Sequence, residues 1–403
     1  MLPWLINSSL TLAAVQAPKR LPFWRDERIL SWLVQILFLA LVIALFAYLT
    51  RNLLLNLRQQ GLGLGFDFLK ITAGFDIGEH FFPYDRSHSF LEAFIVGLLN
   101  TAVVGFLVVV LATILGVIFG VARLSSNFIV RQIARWYIEF LRNIPLLVLL
   151  IFWYTGVFLK LPRVKEAITL PGSILLSNRG IAIPWGIPTE TFSQYRVIFF
   201  IGLIFGLIVT LLLHLHGRRT GRPPLALLWG SLTFILITVL GWFVLSTPPM
   251  TLDIPAVEGL RIAGGRPLPP EFMALLSGLA IYTSAFIADV VRAGIQSVTK
   301  GQVEAAKSLG LNGSQILRMV VFPQALRVII PPLTSQYLNL IKNSSLAVAI
   351  GYPEMFHVSG TILNQSGRAV EMIALVMAVY LSISLLTSAV MNWYNRKVRL
   401  IER

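Results

Sequence analysis

The hydrophobic positions of this chain come in runs of about 20 residues, the length that an α-helix needs to cross the hydrocarbon core of a bilayer. We predict eight spans, near residues 29–50, 92–121, 138–159, 194–215, 224–246, 271–294, 325–348 and 370–394. The first turns of the third span are basic, at Arg131, Arg135 and Arg142, so we interpret it as an interfacial helix that runs into a span. The pattern predicts an all-α, polytopic helical bundle in a membrane.

The composition supports a membrane protein. Hydrophobic residues make up 56% of the 403 residues, and charged residues make up only 13%, about half the average for globular proteins. The formal net charge of +15 would suggest nucleic acid as the partner of a soluble protein. Here we attribute it to cytoplasmic loops that face anionic lipid, so we expect membrane lipid and no nucleic acid as a partner.

The basic residues also predict the orientation. Lys19, Arg20, Arg25 and Arg28 come immediately before the first apolar run, whereas a signal peptide places its charges before a shorter one. We therefore expect a retained first span and, with eight spans, two cytoplasmic termini. That topology places 20 of the 33 Lys and Arg residues on the cytoplasmic side, the direction that the positive-inside rule requires. The segments 160–193 and 247–270, rich in Pro and Gly, are predicted to be extracytoplasmic loops.

Residues for covalent chemistry are missing from the sequence. There is no G-x-x-x-x-G-K-[ST] phosphate loop, no nucleophile with a base, and no histidine spacing typical of a metal site. Cysteine is absent, which excludes disulfides, thiol nucleophiles and cysteine metal sites. We expect no catalytic residue, no metal and no cofactor bound by this chain, and a membrane enzyme is the class with least support.

Residues 301–323 carry the most specific signal. Gln302–Leu309 is predicted to be a short helix, and Gly310 suits the left-handed position that ends a helix. Ala305 and Ala306 would keep one helix face thin for the close approach of a partner, and Glu304 would offer a charge. An ordinary interfacial loop is the alternative.

A second short helix should follow. Asn312 or Ser314 can cap it, and Pro323 would then reset the chain before the next span. We expect two small helices at an angle to each other, on the cytoplasmic side between the sixth and seventh spans.

This segment resembles the EAA loop of ABC importer permeases, whose pattern is E-A-A-x3-G-x9-I-x-L-P. Here Glu304-Ala305-Ala306, Gly310 and Pro323 have the required spacing, while Val320 and Phe322 replace Ile and Leu. The flanking residues 285–302, 323–332 and 339–346, with residues 140–147, resemble the polar amino-acid branch of the family. Residues 72–78 resemble the longer, general L-amino-acid form. The resemblance covers about 92–160 and 271–400.

The resemblance implies a type I ABC importer permease core of five spans, with an added N-terminal span and a two-span insertion. The chain then divides into 1–91 (tail, first span and extracytoplasmic segment), 92–160 (first part of the core), 161–270 (insertion) and 271–403 (second part of the core). The implied location is the inner (plasma) membrane. The implied partners are an ATPase dimer that holds ATP and Mg, a second and non-identical permease subunit, an extracytoplasmic solute-binding protein and an amino-acid substrate.

The resemblance also implies roles for named residues. A groove on the ATPase would receive the coupling loop 301–323, whose matching residues are Gly301, Gln302, Glu304, Ala305, Ala306, Gly310 and Pro323.

Polar residues inside predicted spans are costly and often functional. Asn100, Ser284, Asn339 and Lys342 are candidates for the translocation path. Asn339 is otherwise a helix–helix hydrogen-bonding residue, and Lys342 is otherwise a lysine at the membrane edge. Asp289 and Arg292, three residues apart and near the cytoplasmic end, are expected to form a structural ion pair.

Two other classes stay open. An ion-coupled secondary amino-acid transporter would need discontinuous spans and buried acidic residues near the midplane, where only Asp289 is a candidate. A structural or assembly protein would leave the pattern from Glu304 to Pro323 without an explanation. The sequence names neither the amino acid nor the role of the insertion.

Overall fold

A computed structural model describes residues 27–59, 65–220 and 225–398. It divides the chain into two compact units, Met1–Phe66 and Asp67–Arg403. The first unit contains α1 (Glu27–Gln59), in which the 27 residues Leu30–Asn56 have a mean hydropathy of 2.6. This helix corresponds to the first predicted span. Of the basic residues before it, Lys19, Arg20 and Arg25 lie outside the described residues.

The second unit is built from eleven α-helices over the residues described. They are α2 (Phe90–Ala122), α3 (Phe128–Arg142), α4 (Leu146–Ile151), α5 (Phe192–Thr220), α6 (Ala226–Val244), α7 (Pro270–Gln296), α8 (Lys300–Ser308), α9 (Gly313–Ile316), α10 (Phe322–Asn343), α11 (Met355–Ser366) and α12 (Ala369–Val398). Within the described ranges, seven helical segments are long and apolar enough to cross a membrane, or eight if one bent pair counts as a span. The predicted polytopic helical bundle is confirmed.

The bent pair lies at the third predicted span. Phe128–Arg142 and Leu146–Lys160 meet at an angle of 106°. The predicted start at residue 138 is wrong, because the helix through 138–142 belongs to the first limb and the apolar limb begins at Leu146. Pro145 explains the break, since proline disfavours the helical conformation in the residue before it. The expectation of an interfacial helix followed by an apolar limb agrees with this geometry.

The centre of the bundle is the contact between α2 and α7. Val104, Val108 and Ala112 of α2 lie in one buried cluster with Leu279 and Ile287 of α7. Small residues on α2 let the two helices approach closely.

Two glycines of α2 show how close this approach is. A Cβ atom added to Gly116 would lie 2.5 Å from Cγ2 of Ile287, and one added to Gly120 would lie 2.7 Å from the carbonyl oxygen of Ala288. The backbones of α2 and α7 therefore pack with no room for a side chain at either position.

The segment between Asp67 and Ser89 packs against the start of α2. Ile77 and Phe68 from this segment are buried with Phe94 of α2, Met355 of α11 and Met372 of α12. Residues 67–89 belong to the second compact unit.

The two segments predicted as extracytoplasmic loops contain eight short strands. They are β1 (Ile168–Leu170), β2 (Ile174–Ser177), β3 (Gly180–Ile183), β4 (Trp185–Pro188), β5 (Met250–Asp253), β6 (Ala256–Glu258), β7 (Arg261–Ala263) and β8 (Arg266–Leu268). We call them the strand module. Because each strand has only three or four residues, none gives the alternating pattern from which a strand is predicted.

All pairs in the strand module are antiparallel. One sheet has the order β1-β2-β3-β8, and β4–β5 and β6–β7 form two separate pairs. In the first sheet Ile181 lies opposite Leu268, so the strand segment before α5 is paired with the strand segment after α6. Between β4 and β5 the chain runs out and back as the hairpin of α5 and α6, and Pro188 lies opposite Met250 at its base.

The tight contact at Gly120 predicts a size-sensitive position. We expect Gly120→Ala to lower the free energy of unfolding by about 1–3 kcal/mol, because the new methyl group meets a backbone oxygen that cannot rotate away. Gly105→Ala on the same helix is the matched control, since a Cβ atom there has no neighbour within 4 Å. Thermal unfolding of the purified protein in detergent checks both; equal melting temperatures for the two variants would contradict the prediction.

Candidate functional site

The predicted coupling loop begins with a helix and a left-handed turn. The predicted helix 302–309 corresponds to α8, and Gly310 has a φ of +76°, as predicted. The amide of Gly310 donates to the carbonyl of Lys307 at 2.9 Å, and the amide of Leu311 donates to the carbonyl of Ala306 at 3.2 Å. These two bonds form a Schellman motif, which satisfies carbonyls that the end of α8 would leave free.

Asn312 starts the next turn of helix. Its side chain accepts from the amide of Gln315, and the side chain of Gln315 accepts from the amide of Asn312, both at 2.9 Å. Of the two predicted caps, Asn312 therefore performs this role, and Ser314 does not. This reciprocal capping box satisfies two backbone donors.

The predicted separate second helix is wrong. α9 continues through a π-helical turn, Leu317–Val321, directly into α10, and Gly313–Ile350 forms one candidate span. Pro323 lies in the first turn of α10 and does not reset the chain. The wide π turn makes room for the proline ring, which otherwise meets the carbonyl four residues earlier.

The inner side of this segment has a small core of its own. Ala306, Ile316 and Val321 are buried, and Ile295 and Val298 from the end of α7 pack against them. The prediction that both alanines face a partner is wrong for Ala306, because this core occupies its methyl group. The core joins α8 and α9 to the end of α7.

The outer side of the segment is exposed and partly apolar. Glu304 and Ala305 are exposed, as are Gly301, Gln302, Gly310 and Pro323. Leu309, at the turn, is 81% exposed, and Met319 is 64% exposed. Exposed apolar side chains beside charged ones form a surface that a protein partner can bury.

The predicted pair of Asp289 and Arg292 is confirmed and has a third member. Nη2 of Arg292 lies 2.8 Å from Oδ1 of Asp289, and Nη1 of Arg142 lies 2.6 Å from Oδ2. Arg142 ends α3, so the cluster ties that helix to α7. The pairing of Arg142 with Asp289 was not predicted from the sequence, because 147 residues separate the two and no local spacing links them.

Two of the predicted path residues are held by internal contacts. Asn100 is fully buried, and its amide donates to the carbonyls of Glu79 at 2.8 Å and Pro353 at 2.9 Å. The hydroxyl of Ser284 lies 2.6 Å from the hydroxyl of Tyr137. Both residues therefore tie a helix to its neighbours.

The other two predicted path residues are exposed on α10. Lys342 lines an apolar cavity of about 1040 Å³ with Phe356 of α11 and Met377 of α12. Asn339 lies one turn earlier on the same helix. The structure does not bring the four predicted residues into one site. Among the described residues, no three or more His, Asp or Glu side chains are grouped to hold a metal ion.

The family match and the similar proteins all come from transport systems. The model of the family described as binding-protein-dependent transport system inner membrane component matches residues 112–400. The chain is 42% identical over 378 residues to the general L-amino acid transport system permease protein AapQ of Rhizobium johnstonii, covering 94% of each chain.

Two further relatives match over nearly their whole lengths. The putative amino-acid ABC transporter permease protein YhdX of Escherichia coli is 43% identical, over 93% of this chain and 95% of YhdX. The glutamate/glutamine/aspartate/asparagine transport system permease protein BztB of Rhodobacter capsulatus is 37% identical, over 94% of this chain and 96% of BztB.

The ion cluster predicts a stability effect. We expect Asp289→Asn to lower the free energy of unfolding by about 1–2 kcal/mol, because two half-exposed arginines lose their charged acceptor. Glu258→Gln is the control, since its pair with Arg261 is exposed on both sides. Thermal unfolding in detergent measures both changes. A control variant that loses as much stability as Asp289→Asn would show that the cluster adds no more than a surface pair.

Proposed function

Because the chain belongs to the family of binding-protein-dependent transport system inner membrane components, we propose that it carries amino acids as the transmembrane subunit of an ATP-binding-cassette importer. The observation that supports this most is the identity of 42% to AapQ over 94% of each chain. The names of AapQ, YhdX and BztB all refer to amino acids, which supports that substrate class.

The chain is the permease subunit, and ATP hydrolysis belongs to separate subunits. The sequence has no phosphate loop with which to bind ATP. We expect a dimer of ATPase subunits that holds ATP and Mg, a second and non-identical permease subunit, and a solute-binding protein on the outer side. An ion-coupled carrier is not favoured, because the match covers a family named for its dependence on binding proteins.

The segment of α8 and α9 is the proposed contact with the ATPase. Glu304 and Leu309 on its outer side would lie in a groove of the partner, while Ala306 on its inner side is held by the end of α7. Since α9 continues into α10 without a loop, a displacement of this contact moves α7 and α10 together. Rigid-body movement of this kind fits alternating access, in which one cavity opens to each side in turn.

The proposed orientation follows from the basic residues. The α8 end of the bundle, with Arg142 and Arg292, would face the cytoplasm and the anionic lipid of that leaflet. The strand module, at the opposite end of α7, would face the binding protein. Both termini would be cytoplasmic.

Coupling should depend on the left-handed turn after α8. We expect Gly310→Ala to reduce substrate-stimulated ATP hydrolysis several-fold, because a side chain at this φ costs about 1–2 kcal/mol and displaces the outer surface. Gly313→Ala is the matched control: a Cβ atom meets nothing within 4 Å at either glycine, but only Gly310 has a positive φ. The measurement uses the complex reconstituted with its ATPase and binding protein.

The same reconstitution tests the function. Amino-acid uptake should require ATP, the ATPase and the binding protein. Uptake that persists without the ATPase would overturn the importer and favour the ion-coupled carrier. Hydrolysis that is unchanged in Gly310→Ala would leave the importer intact and remove the coupling role of this turn.

The orientation can be measured by labelling, because the natural chain has no cysteine. Ser126 lies in the turn after α2 at the α8 end, and Thr251 lies in β5 of the strand module; both residues are exposed. The variants Ser126→Cys and Thr251→Cys each place one cysteine at one end. A membrane-impermeant maleimide should label residue 251 in intact spheroplasts, and residue 126 only after the membrane is opened. The reverse pattern would invert the proposed topology.

A further inference from the structure

The helix α3 lies across the bundle and not along it. Its axis makes an angle of 106° with the apolar limb Leu146–Lys160. With that limb across the membrane, α3 lies close to the membrane plane. The contacts with α7 give its depth. α7 has 27 residues and so a length of about 40 Å, which is the thickness of a bilayer with its headgroups. Arg142, at the end of α3, bonds to Asp289, about 10 Å before the end of α7 at Gln296. The helix is thus placed near the boundary between hydrocarbon and headgroups.

One face of α3 packs on the body of the protein. Ala134, Ile138 and Leu141 are buried, with the spacing of one side of a helix. Leu141 belongs to a cluster with Ala285 of α7. This face fixes the rotation of α3 about its own axis, and the remaining surface of the helix is exposed.

A second face of α3 is apolar and exposed. Four large side chains follow one another at intervals of four, three and four residues, which places them on one side of the helix. Each is between 60% and 66% exposed, and they are Ile129, Ile133, Trp136 and Phe140. We call these four residues the apolar stripe. On an amphipathic helix in the membrane plane, such a stripe lies among the acyl chains. A tryptophan suits this depth, because its ring prefers the membrane–water interface.

The third face of α3 carries an excess of positive charge. Arg131 and Arg135 lie one turn apart, and Nε of Arg135 donates to Glu139 at 2.9 Å. Arg123, at the end of α2, lies 3.4 Å from the same carboxylate. One carboxylate thus serves two arginines. Residues 123–142 contain four arginines and one glutamate, which leaves a formal charge of +3 on this segment.

The two arginines of this face keep donors for a further partner. A guanidinium has five N–H donors. Among the described residues, Arg131 donates from Nη1 to the carbonyl of Ser125 at 2.9 Å, and Arg135 donates from Nε to Glu139. Both side chains are exposed. A guanidinium matches the oxygens of a phosphate in geometry as well as in charge.

We propose that α3 is a docking surface for an anionic phospholipid. Arg131 and Arg135 would hold the phosphate of the headgroup, and the apolar stripe would lie against the acyl chains. The charge of the segment favours this occupant, since a net charge of +3 is complementary to an anionic headgroup and not to a neutral one. The arrangement also fits, because the apolar stripe and the arginines occupy different sides of a helix that lies in the membrane plane.

The proposal goes beyond the transport function and does not depend on it. The orientation proposed above determines only which leaflet supplies the lipid, and an inverted topology would move the same surface to the other leaflet. The measurements below use neither ATP nor a transported substrate. A failure of the importer function would therefore leave their outcome unchanged.

Native mass spectrometry of the full-length protein in detergent tests the headgroup contact. Phosphatidylglycerol and phosphatidylcholine with identical acyl chains are titrated separately. We expect the wild type to bind phosphatidylglycerol more tightly than phosphatidylcholine. The double variant Arg131→Gln with Arg135→Gln should bind phosphatidylglycerol about tenfold more weakly, because two cations near the headgroup are lost. Its binding of phosphatidylcholine should stay unchanged.

Two further variants separate the site from general charge and from structure. Arg163→Gln with Lys165→Gln removes the same charge from exposed residues between α4 and β1, and should bind phosphatidylglycerol as the wild type does. Arg131→Lys with Arg135→Lys keeps the charge and should stay within about threefold of the wild type. An equal loss in the Arg163 and Lys165 variant, no loss in the Arg131 and Arg135 glutamine variant, or equal binding of both lipids by the wild type would overturn the headgroup contact.

Spin labelling tests the acyl contact, since the natural chain has no cysteine. A nitroxide is attached to Ile133→Cys or to Arg135→Cys, and the protein is placed in nanodiscs with the subunits that accompany it in purification. The label at residue 133 should collide mainly with oxygen, which concentrates in hydrocarbon, and the label at residue 135 mainly with a water-soluble nickel complex. The reverse pattern would overturn the orientation of α3. A label at residue 133 that neither reagent reaches would show that another protein, and not lipid, covers the apolar stripe.

Discussion

The hydrocarbon core of a bilayer contains no water to satisfy the backbone, so every amide and carbonyl in it needs a partner within the chain. This constraint determines most of the architecture. The spanning segments are helical, and among the described residues the short strands lie in the module between α4 and α7. Charged side chains gather at the two ends of the bundle, as in the cluster around Asp289 and the pair of Glu79 with Arg266.

Lipid chains are as apolar as the side chains of a spanning helix, so hydrophobic burial hardly favours contact between helices over contact with lipid. Close packing and polar contacts therefore decide which helices touch. Gly116 and Gly120 allow α2 to lie against α7 with no intervening side chain. Asn100 fastens α2 to two loop carbonyls, and Tyr137 fastens α3 to α7 through Ser284. These contacts hold the permease body as a unit against which the segment of α8 and α9 can act.

The sequence was sufficient for features that depend on neighbours along the chain. The apolar runs predicted the spanning helices, and Gly310 and Asn312 predicted the turn and the cap. Long-range features could not be predicted, because a single sequence carries no signal that links Arg142 to Asp289 or Arg266 to Glu79. The prediction that Pro323 resets the chain was wrong, because the effect of this proline depends on the π turn before it. The amino-acid composition of that turn does not reveal its π-helical geometry. The roles of the coupling residues stay predictions.

The pairing of β4 with β5 makes the hairpin of α5 and α6 a separable part of the chain. Pro188 and Met250 lie opposite each other in one ladder, so residues 189–249 leave and re-enter the body at adjacent positions. Neighbouring antiparallel strands lie only about 5 Å apart, and a tight turn can join them. The helical hairpin is therefore a modular appendage that could be gained or lost by a single in-frame insertion or deletion, with the register of the remaining strands unchanged.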